Sequence, residues 1–249
     1  MLLKGKTAVV TGCNRGIGKA VIEVFAANGA DIFACVRKEH PEFVEEIQRL
    51  STEYGVEIIP LYFDLIDGEA MKSAIGTIRK SKKPIDILVC NAGVLAENAL
   101  FQMTTLDNIR KLFDVNFFAQ MQFTQYISRL MLRNKNGGSI VFMSSIAVNY
   151  GVPGQVSYAA AKSALEGATR SLAREFGANN IRVNVVAPGL VSTDMGNQTD
   201  ADSARVMIEN SALGRWTKPE EIANVILFLA SELSNCITGQ ILHADGGIF

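Results

Sequence analysis

Short apolar runs alternate with longer amphipathic segments along most of the chain. A continuous apolar run of strand length is typical of a buried parallel strand, whereas apolar positions three or four residues apart predict a helix. The predicted strands cover residues 7–11, 31–36, 57–63, 85–90, 139–143, 181–187 and 238–244. The predicted helices cover residues 18 to about 29, 41–54, 68–80, 106–134, 156 to about 177, a short helix ending at 210, and 217–230.

This alternation predicts an α/β fold, with a doubly wound parallel sheet of about seven strands and helices on both faces. The 249 residues and their 48% apolar content suit one domain over residues 1–249 better than two. Ligands of such sheets bind beyond the carboxyl ends of the strands. The polar segment 194–212 has a weak pattern, so we expect it to form a substrate lid.

Composition excludes several classes of protein. Lys and Arg number 24 against 25 Asp and Glu, a formal net charge of −1, so nothing indicates a nucleic-acid or membrane-surface partner. No apolar run approaches the roughly 20 residues of a membrane span, and the first residues do not resemble a signal peptide. The four scattered cysteines predict reduced thiols in a cytoplasmic protein. With two histidines, we expect no metal centre.

A glycine-rich turn follows the first predicted strand and precedes a helix. Gly12, Gly16 and Gly18 are spaced G-x-x-x-G-x-G, which differs from the commoner G-x-G-x-x-G fingerprint. Glycines permit tight turns and a close backbone approach, and the free N–H groups at a helix start attract phosphate. The turn is therefore a candidate phosphate loop, and a plain connecting loop is the alternative.

The end of the second strand bears on the choice of cofactor. Many NAD-binding folds place an acidic residue there for the adenosine ribose, but this chain has Val36 followed by Arg37 and Lys38. Arg37 could pair with a 2′-phosphate through two N–H groups, and Arg15 could approach the same phosphate. We therefore predict NADP(H) rather than NAD(H). The alternative is that Arg37 and Lys38 form a solvated strand end.

The third and fourth strands also end in candidate ligand contacts. Asp64 could accept a hydrogen bond from the adenine amino group, or it could cap the helix that starts near Asp67. Asn91, Ala92 and Gly93 are small enough for the backbone to pass close to the adenine ribose.

The clearest candidate chemistry lies on the predicted helix that begins at residue 156. Tyr158 and Lys162 are four residues apart and so point from the same face, and Ser145 follows the fifth strand. A cation favours the phenolate, so we expect Lys162, together with a cationic nicotinamide ring, to lower the pKa of Tyr158. The alternative is chance, because a Tyr and a Lys at this spacing are common.

Two further features of these helices allow two interpretations. Asn116 lies in an apolar stretch and is either a core asparagine with satisfied hydrogen bonds or a catalytic helper. Small residues line the Tyr158 helix, which indicates either a homo-oligomer interface or tight packing within the chain; they are Ala159, Ala160, Ser163, Ala164, Gly167 and Ala168.

Taken together, these motifs resemble the short-chain dehydrogenase/reductase family over nearly the whole chain. Within that family the sequence is most similar to bacterial 3-oxoacyl-acyl-carrier-protein reductases, through residues 214–223 and 237–240, which many relatives with other substrates share. The residues that carry the family resemblance are Thr11, Gly12, Gly16, Gly18, Asp64, Asn91, Ala92, Gly93, Asn116, Ser145, Tyr158, Lys162, Pro188, Gly189 and Thr193.

The resemblance implies a Rossmann-type fold, a homotetramer and NADPH-dependent reduction of a 3-oxoacyl thioester in fatty acid synthesis. Tyr158 would give a proton to the carbonyl oxygen, Ser145 would bond the same oxygen, Lys162 would hold the nicotinamide ribose, and Asn116 would position a water. Cofactor contacts are implied for Gly12, Asn14, Arg15, Gly16, Ile17, Gly18, Arg37, Asp64, Leu65, Asn91, Ala92, Gly93, Tyr158, Lys162, Pro188, Gly189, Val191 and Thr193.

One departure concerns the acyl carrier protein as a partner. Reductases of this type often have a basic residue just after the tyrosine helix, where this chain has Ala178, Asn179 and Asn180. Nearby basic residues could replace it, namely Arg129, Arg133, Lys135 and Arg174. Two other functions remain open: the same chemistry on a sugar, polyol or other small carbonyl or alcohol, and a non-catalytic nucleotide-binding protein on the same fold.

Overall fold

In the computed structural model, which describes residues 1–95 and 99–248, seven parallel strands form one sheet in the order β3-β2-β1-β4-β5-β6-β7. The order reverses between β1 and β4, and ligands of open parallel sheets bind at such a reversal. The strands are β1 Thr7–Thr11, β2 Asp31–Val36, β3 Ile58–Tyr62, β4 Ile87–Cys90, β5 Gly138–Met143, β6 Ile181–Pro188 and β7 Ile241–Ala244.

Helices cover both faces of this sheet, as predicted. Helices α1, α2 and α9 pack on one face, and α3, α5 and α7 on the other. The α-helices are α1 Gly16–Ala27, α2 Pro41–Tyr54, α3 Gly68–Lys80, α4 Leu106–Phe113, α5 Ala119–Met131, α6 Ala147–Tyr150, α7 Val156–Phe176, α8 Ala201–Glu209 and α9 Pro219–Ala230.

The central strand shows why the apolar runs are continuous. Ala8 and Val10 of β1 belong to the core beneath α1, whereas Val9 belongs to the core beneath α3 and α5. Side chains alternate between the two faces of a strand, so a strand with helices on both faces needs apolar residues at every position.

The long helix predicted over residues 106–134 is an unbroken helical stretch from Leu106 to Met131, but it is not α-helical throughout and it ends three residues earlier than predicted. The structure has α4, then a π-helical segment Asp114–Phe118, then α5, which ends at Met131. The N–H of Ala119 donates to the carbonyl of Asp114, five residues back, so this turn is wider than an α-helical turn. Such π segments are frequent at functional sites, and this one contains Asn116.

Two other predicted boundaries need correction. Helix α9 begins at Pro219 and not at residue 217, because Lys218 is the N-cap and its N–H donates to the Glu221 carboxylate at 2.8 Å. Strand β7 begins at Ile241 and not at Thr238. Thr238 accepts from the N–H of Val183 at 3.1 Å through its side chain, which removes it from the ladder.

Two further observations concern the oxidation state of the cysteines and the apolar content of the helices. All four cysteines are free thiols, and three of them are buried. Of the helices in the described part of the chain, none combines the length and the apolar content that crossing a bilayer requires.

Candidate active site

A cavity of about 740 Å³ lies at the carboxyl edge of the sheet. It is lined by residues that follow β1 to β6, which is where ligands of this fold bind. Every residue predicted to contact the cofactor or to catalyse lies in this lining except Gly18 and Asn116, which stand directly behind it. The fold thus brings the separate sequence motifs to one place.

The glycine-rich turn forms one wall of the cavity. Gly12 has a φ of +74°, and its N–H donates to the carbonyl of Cys35 at 2.9 Å. A Cβ on Gly18 would lie 2.1 Å from the carbonyl oxygen of Gly12, so only glycine lets α1 approach the turn this closely. The start of α1 therefore faces the cavity, where its unpaired N–H groups suit a phosphate.

Basic side chains occupy the end of the cavity beside β2, which we call the basic end. Arg37 and Lys38 are exposed and belong to the lining. Arg15 also belongs to the lining, and its Nη1 pairs with the exposed Asp194 carboxylate at 3.1 Å, so its approach to a 2′-phosphate stays a prediction. A contact of Arg37 with a 2′-phosphate stays a prediction.

The alternative role of Asp64 as a helix cap is wrong. The cap of α3 is Asp67, whose Oδ1 accepts from the N–H groups of Glu69 and Ala70 at 3.0 Å. The Asp64 carboxylate accepts from the nearby N–H of Ile66, at 3.2 Å, and Asp64 lines the cavity. Its predicted contact with adenine is untested.

The segment after β4 is held against the end of β1 by the side chains of Thr11 and Asn91. The hydroxyl oxygen of Thr11 accepts from the N–H groups of Asn91 and Ala92, both at 3.0 Å. The Asn91 amide donates back to the carbonyls of Thr11 and Gly12. A Cβ on Gly93 would lie 3.4 Å from the Lys162 ammonium, so this segment reaches the catalytic residues.

Asn116 is fully buried, and its amide group is satisfied on both sides. Its Oδ1 accepts from the N–H of Val94, and its Nδ2 donates to the carbonyl of Val94, both at 2.9 Å. The side chain therefore braces the segment after β4, as the core-asparagine interpretation requires. Positioning of a water by this residue stays a prediction.

The structure brings Ser145, Tyr158 and Lys162 together. Ser145 follows β5, and its side chain hydrogen-bonds that of Tyr158 on α7. One turn further along α7, the Lys162 ammonium donates to the carbonyl of Met143 at 2.8 Å and lies 5.7 Å from the centre of the Tyr158 ring. Serine, phenol and ammonium thus share one wall of the cavity.

Burial dominates the acid–base properties of this group. It raises the pKa of Tyr158, and the hydrogen bond from Ser145 offsets part of that rise. It also lowers the pKa of Lys162 to about 8. The expected lowering of the tyrosine pKa by Lys162 is absent in the chain itself; a lowering through the nicotinamide ring stays a prediction. At neutral pH the phenol keeps its proton and can donate it.

The family model described as enoyl-(acyl carrier protein) reductase matches residues 12–248. This chain belongs to the short-chain dehydrogenase/reductase family. It is 37% identical over 248 residues to the 3-oxoacyl-[acyl-carrier-protein] reductase of Aquifex aeolicus, which covers 99% of this chain and 98% of that protein. The predicted family and the predicted fold class are therefore confirmed.

Other members of the family that resemble this chain have different names. The 3alpha-hydroxysteroid dehydrogenase of Mediterraneibacter gnavus is also 37% identical over 248 residues, 99% of this chain and 98% of that protein. The crystal structure of carveol dehydrogenase from Mycobacterium avium in complex with NAD has a TM-score of 0.90 and 28% identity, with 99% of this chain and 98% of that chain covered. This chain is thus an oxidoreductase of a family that binds nicotinamide cofactors.

In this dehydrogenase/reductase, one buried pair beside the catalytic group was missed by the sequence reasoning. The Ser144 hydroxyl donates to the Glu166 carboxylate at 2.7 Å, and both side chains are buried. Glu166 lies one turn after Lys162 on α7. The available signal was a charged residue continuing the spacing of four residues from Tyr158 through Lys162.

A set of apolar side chains on the side of the cavity beyond β4, β5 and β6 also escaped prediction. It includes Leu95, Val152, Leu190, Met195 and Met207. Such residues carry no sequence signal that separates them from core residues, because spacing alone does not show which apolar side chain faces a cavity.

The proposed lid, residues 194–212, forms part of that side. It contains a 3₁₀ turn, Gly196–Gln198, and helix α8, and Met207 of α8 packs in a cluster with Ile146 and Leu190. Its closing motion stays a prediction.

Proposed function

We propose that this oxidoreductase uses NADPH to reduce the 3-oxo group of an acyl thioester, carried by acyl carrier protein, to a 3-hydroxy group in fatty acid synthesis. The observation that carries the proposal is the group of half-buried Ser145 with buried Tyr158 and Lys162, between a basic end and an apolar end of one cavity. A phosphate-bearing cofactor suits the first end and an acyl chain suits the second.

The residues at the basic end fit NADP(H). The turn containing Gly12 and Gly18 leaves its backbone open to a phosphate, and Arg37 and Lys38 offer cations in the place where a carboxylate would repel a 2′-phosphate. The preference for the phosphorylated cofactor rests on these residues, since the carveol dehydrogenase structure holds NAD.

Each catalytic side chain has a role that its protonation state permits. A reduced nicotinamide bound in this cavity would supply a hydride to the carbonyl carbon. The Tyr158 hydroxyl transfers its proton to the carbonyl oxygen, so the product is a neutral alcohol. Ser145 donates a hydrogen bond to that oxygen as negative charge develops on it. Lys162, whose ammonium lies beside the Tyr158 ring on the same wall, would hold the nicotinamide ribose.

The apolar substrate side favours an acyl chain over a sugar or polyol. Hydroxyl groups buried against Leu95, Val152 or Leu190 would lose hydrogen bonds to water without gaining others. The same lining also suits a steroid, and the hydroxysteroid dehydrogenase relative has the same 37% identity as the acyl-carrier-protein reductase. Reduction of a 3-oxosteroid is therefore the second candidate.

Surface residues bear on the carrier protein as a partner. Asn180 adopts a left-handed conformation with a φ of +57°, which asparagine tolerates better than most residues, and its carbonyl accepts from Gly138 at 3.1 Å. The local fold thus explains one of the two asparagines in the turn. Arg129, Arg133 and Arg174 are exposed and could contact an acidic carrier.

A homotetramer is part of the same proposal. Small residues on α7 that the sequence indicated for an interface, such as Ala160, Ser163 and Gly167, are exposed on the surface of the chain. A Cβ on Gly167 would meet nothing within 4 Å, so packing within the chain does not explain this glycine. Sedimentation equilibrium would measure the number of subunits.

A substrate panel tests the proposed function. NADPH consumption would be followed with 3-oxoacyl-acyl carrier protein, the matching 3-oxoacyl pantetheine thioesters, a 3-oxosteroid and a keto sugar. We expect turnover of the acyl thioesters and a lower KM for the carrier-bound form. Turnover of the steroid with no turnover of thioesters of several chain lengths would overturn the proposal.

Charge reversal tests the carrier separately. Arg129→Glu should raise KM for the carrier-bound substrate and leave KM for the pantetheine thioester unchanged. Lys4→Glu, an exposed cation in the N-terminal segment that packs near Gly29, is the matched control. Equal effects of the two variants would contradict docking at Arg129.

A further inference from the structure

Three side chains along one side of the π segment and α5 meet the chain as it leaves β4. Along the helix these side chains are spaced four residues apart. The residues that they contact, at the end of β4 and just after it, are spaced two residues apart. Two residues of extended chain span roughly 6.6 Å and four helical residues span roughly 6 Å, so each helix side chain lies opposite its partner on the extended chain. The contacts join Asn116 to Val94, Gln120 to Ala92, and Thr124 to Cys90.

The contact between Gln120 and Ala92 is not explained by a contribution to the stability of the fold. Gln120 is 1% exposed, and its Nε2 donates to the carbonyl of Ala92 at 2.7 Å. Its Oε1 is buried and has no hydrogen-bond partner within residues 1–95 and 99–248. A buried amide with one side unsatisfied is less favourable than an apolar side chain of similar size. The donated bond to Ala92 is what the amide provides.

That bond completes a clamp on one peptide group at the cavity wall. The N–H of Ala92 donates to the Thr11 hydroxyl at 3.0 Å, on the side of β1, while its carbonyl accepts from Gln120, on the side of α5. Ala92 and Gly93 line the cavity, and a Cβ on Gly93 would lie 3.4 Å from the Lys162 ammonium. Rotation of this peptide would therefore alter the wall on which the cofactor lies.

We propose that Gln120 is a positioning residue for the nicotinamide cofactor, acting by holding the Ala92 carbonyl. The inference rests on the proposed cofactor, and it concerns binding and not the identity of the substrate. Gln120 itself touches neither cofactor nor substrate, because it stands behind the lining.

Replacement by an isosteric acid tests this directly. In Gln120→Glu an ionised carboxylate cannot donate to the Ala92 carbonyl, whereas a protonated one can. Burial raises the pKa of such an acid, so both forms are accessible under mild conditions. We expect the Kd for NADP⁺, measured by calorimetry without substrate, to rise roughly 10-fold at alkaline pH and to approach that of the parent protein as the pH falls.

Two comparison variants separate positioning from a general loss of structure. Gln120→Met removes the donor at every pH, so it should weaken NADP⁺ binding without pH dependence and without lowering Tm. Gln122→Glu introduces the same acid at an exposed position of the same helix and should bind like the parent. The proposal is overturned if Gln120→Met binds as tightly as the parent, or if the two glutamate variants share one pH profile.

Because the measurement needs no substrate, an error in the proposed substrate would leave it intact. A failed substrate panel with an intact pH-dependent effect of Gln120→Glu would reject the 3-oxoacyl assignment alone. The opposite result would reject the role of Gln120 alone.

Discussion

The two ends of the cavity hold their polar side chains in different ways. At the catalytic end, Lys162 is 4% exposed and bonded to a backbone carbonyl, and the adjacent Ser144 is bonded to the buried Glu166. At the basic end, Arg37 and Lys38 extend into solvent. The first arrangement fixes geometry through the fold, whereas the second supplies charge that the fold does not need.

The difference has an energetic cause. A buried charge costs several kcal/mol unless good partners compensate for it, and the lowered pKa of Lys162 reflects this cost. An exposed cation costs little and contributes little to folding. Substitutions at the catalytic end should therefore affect both activity and stability, and substitutions at the basic end should affect cofactor preference alone.

The largest expected effect is on turnover. Tyr158→Phe removes the proton donor and should lower kcat by about 10³-fold, while NADP⁺ still binds. Steady-state kinetics and calorimetry would measure the two quantities. Tyr126→Phe, a half-buried tyrosine on α5, is the control and should keep full activity. Activity within a few-fold of the parent in Tyr158→Phe would remove that hydroxyl from the mechanism.

The next effect is a pH dependence of stability. The pKa of Lys162 is about 8 in the folded chain, against 10.5 for an ordinary lysine. Between these values the unfolded chain binds more protons, so stability rises with pH. The unfolding free energy of the parent minus that of Lys162→Met should rise by on the order of 3 kcal/mol from pH 8 to above pH 10.5.

Taking this difference cancels the opposite trend of Tyr158, whose raised pKa makes stability fall above its ordinary value near 10. Denaturant unfolding at several pH values would supply the data. If the difference in unfolding free energy did not change with pH, the Lys162 charge would be as well stabilised in the folded chain as in water.

A smaller effect is expected for the buried pair beside the catalytic residues. Ser144→Ala removes a hydrogen bond to the buried Glu166 carboxylate and should lower the unfolding free energy by about 2 kcal/mol. Ser73→Ala, at an exposed position of α3, is the matched control and should change it little. Equal stabilities of the two variants would weaken the contrast between the cavity ends.

The smallest free-energy effect is expected at the basic end. Arg37→Asp should shift the ratio of kcat/KM for NADPH over NADH about 10-fold toward NADH, because a carboxylate repels the 2′-phosphate. The unfolding free energy should stay within about 0.5 kcal/mol of the parent. An unchanged cofactor ratio would show that Arg37 is only a solvated residue.

The same contrast explains how much the sequence could reveal. The strands, and the meeting of Ser145, Tyr158 and Lys162, follow from apolar runs and from residue spacing, which are local properties. The wide turn around Asn116 does not follow from them, because five residues are too few to show a spacing that differs from that of the α-helix on either side. Its boundaries depend on what Val94 offers to the asparagine side chain.

Burial is the other property that spacing does not report. The pattern correctly placed Lys162 on the same side of α7 as Tyr158, yet the pKa of the tyrosine depends on how much water both side chains lose. Glu166 and Gln120 were missed for the same reason. A polar residue in a helix has no sequence mark that distinguishes a solvent-facing position from a buried one.

The wide turn at Asp114–Phe118 also bears on how this helix could evolve. Deleting one residue there would restore a regular α-helix, but it would rotate the two flanking segments relative to each other by roughly 100°. Asn116 and Gln120 could then no longer reach Val94 and Ala92 together. The irregular turn thus behaves as an insertion that later sequence change cannot readily reverse.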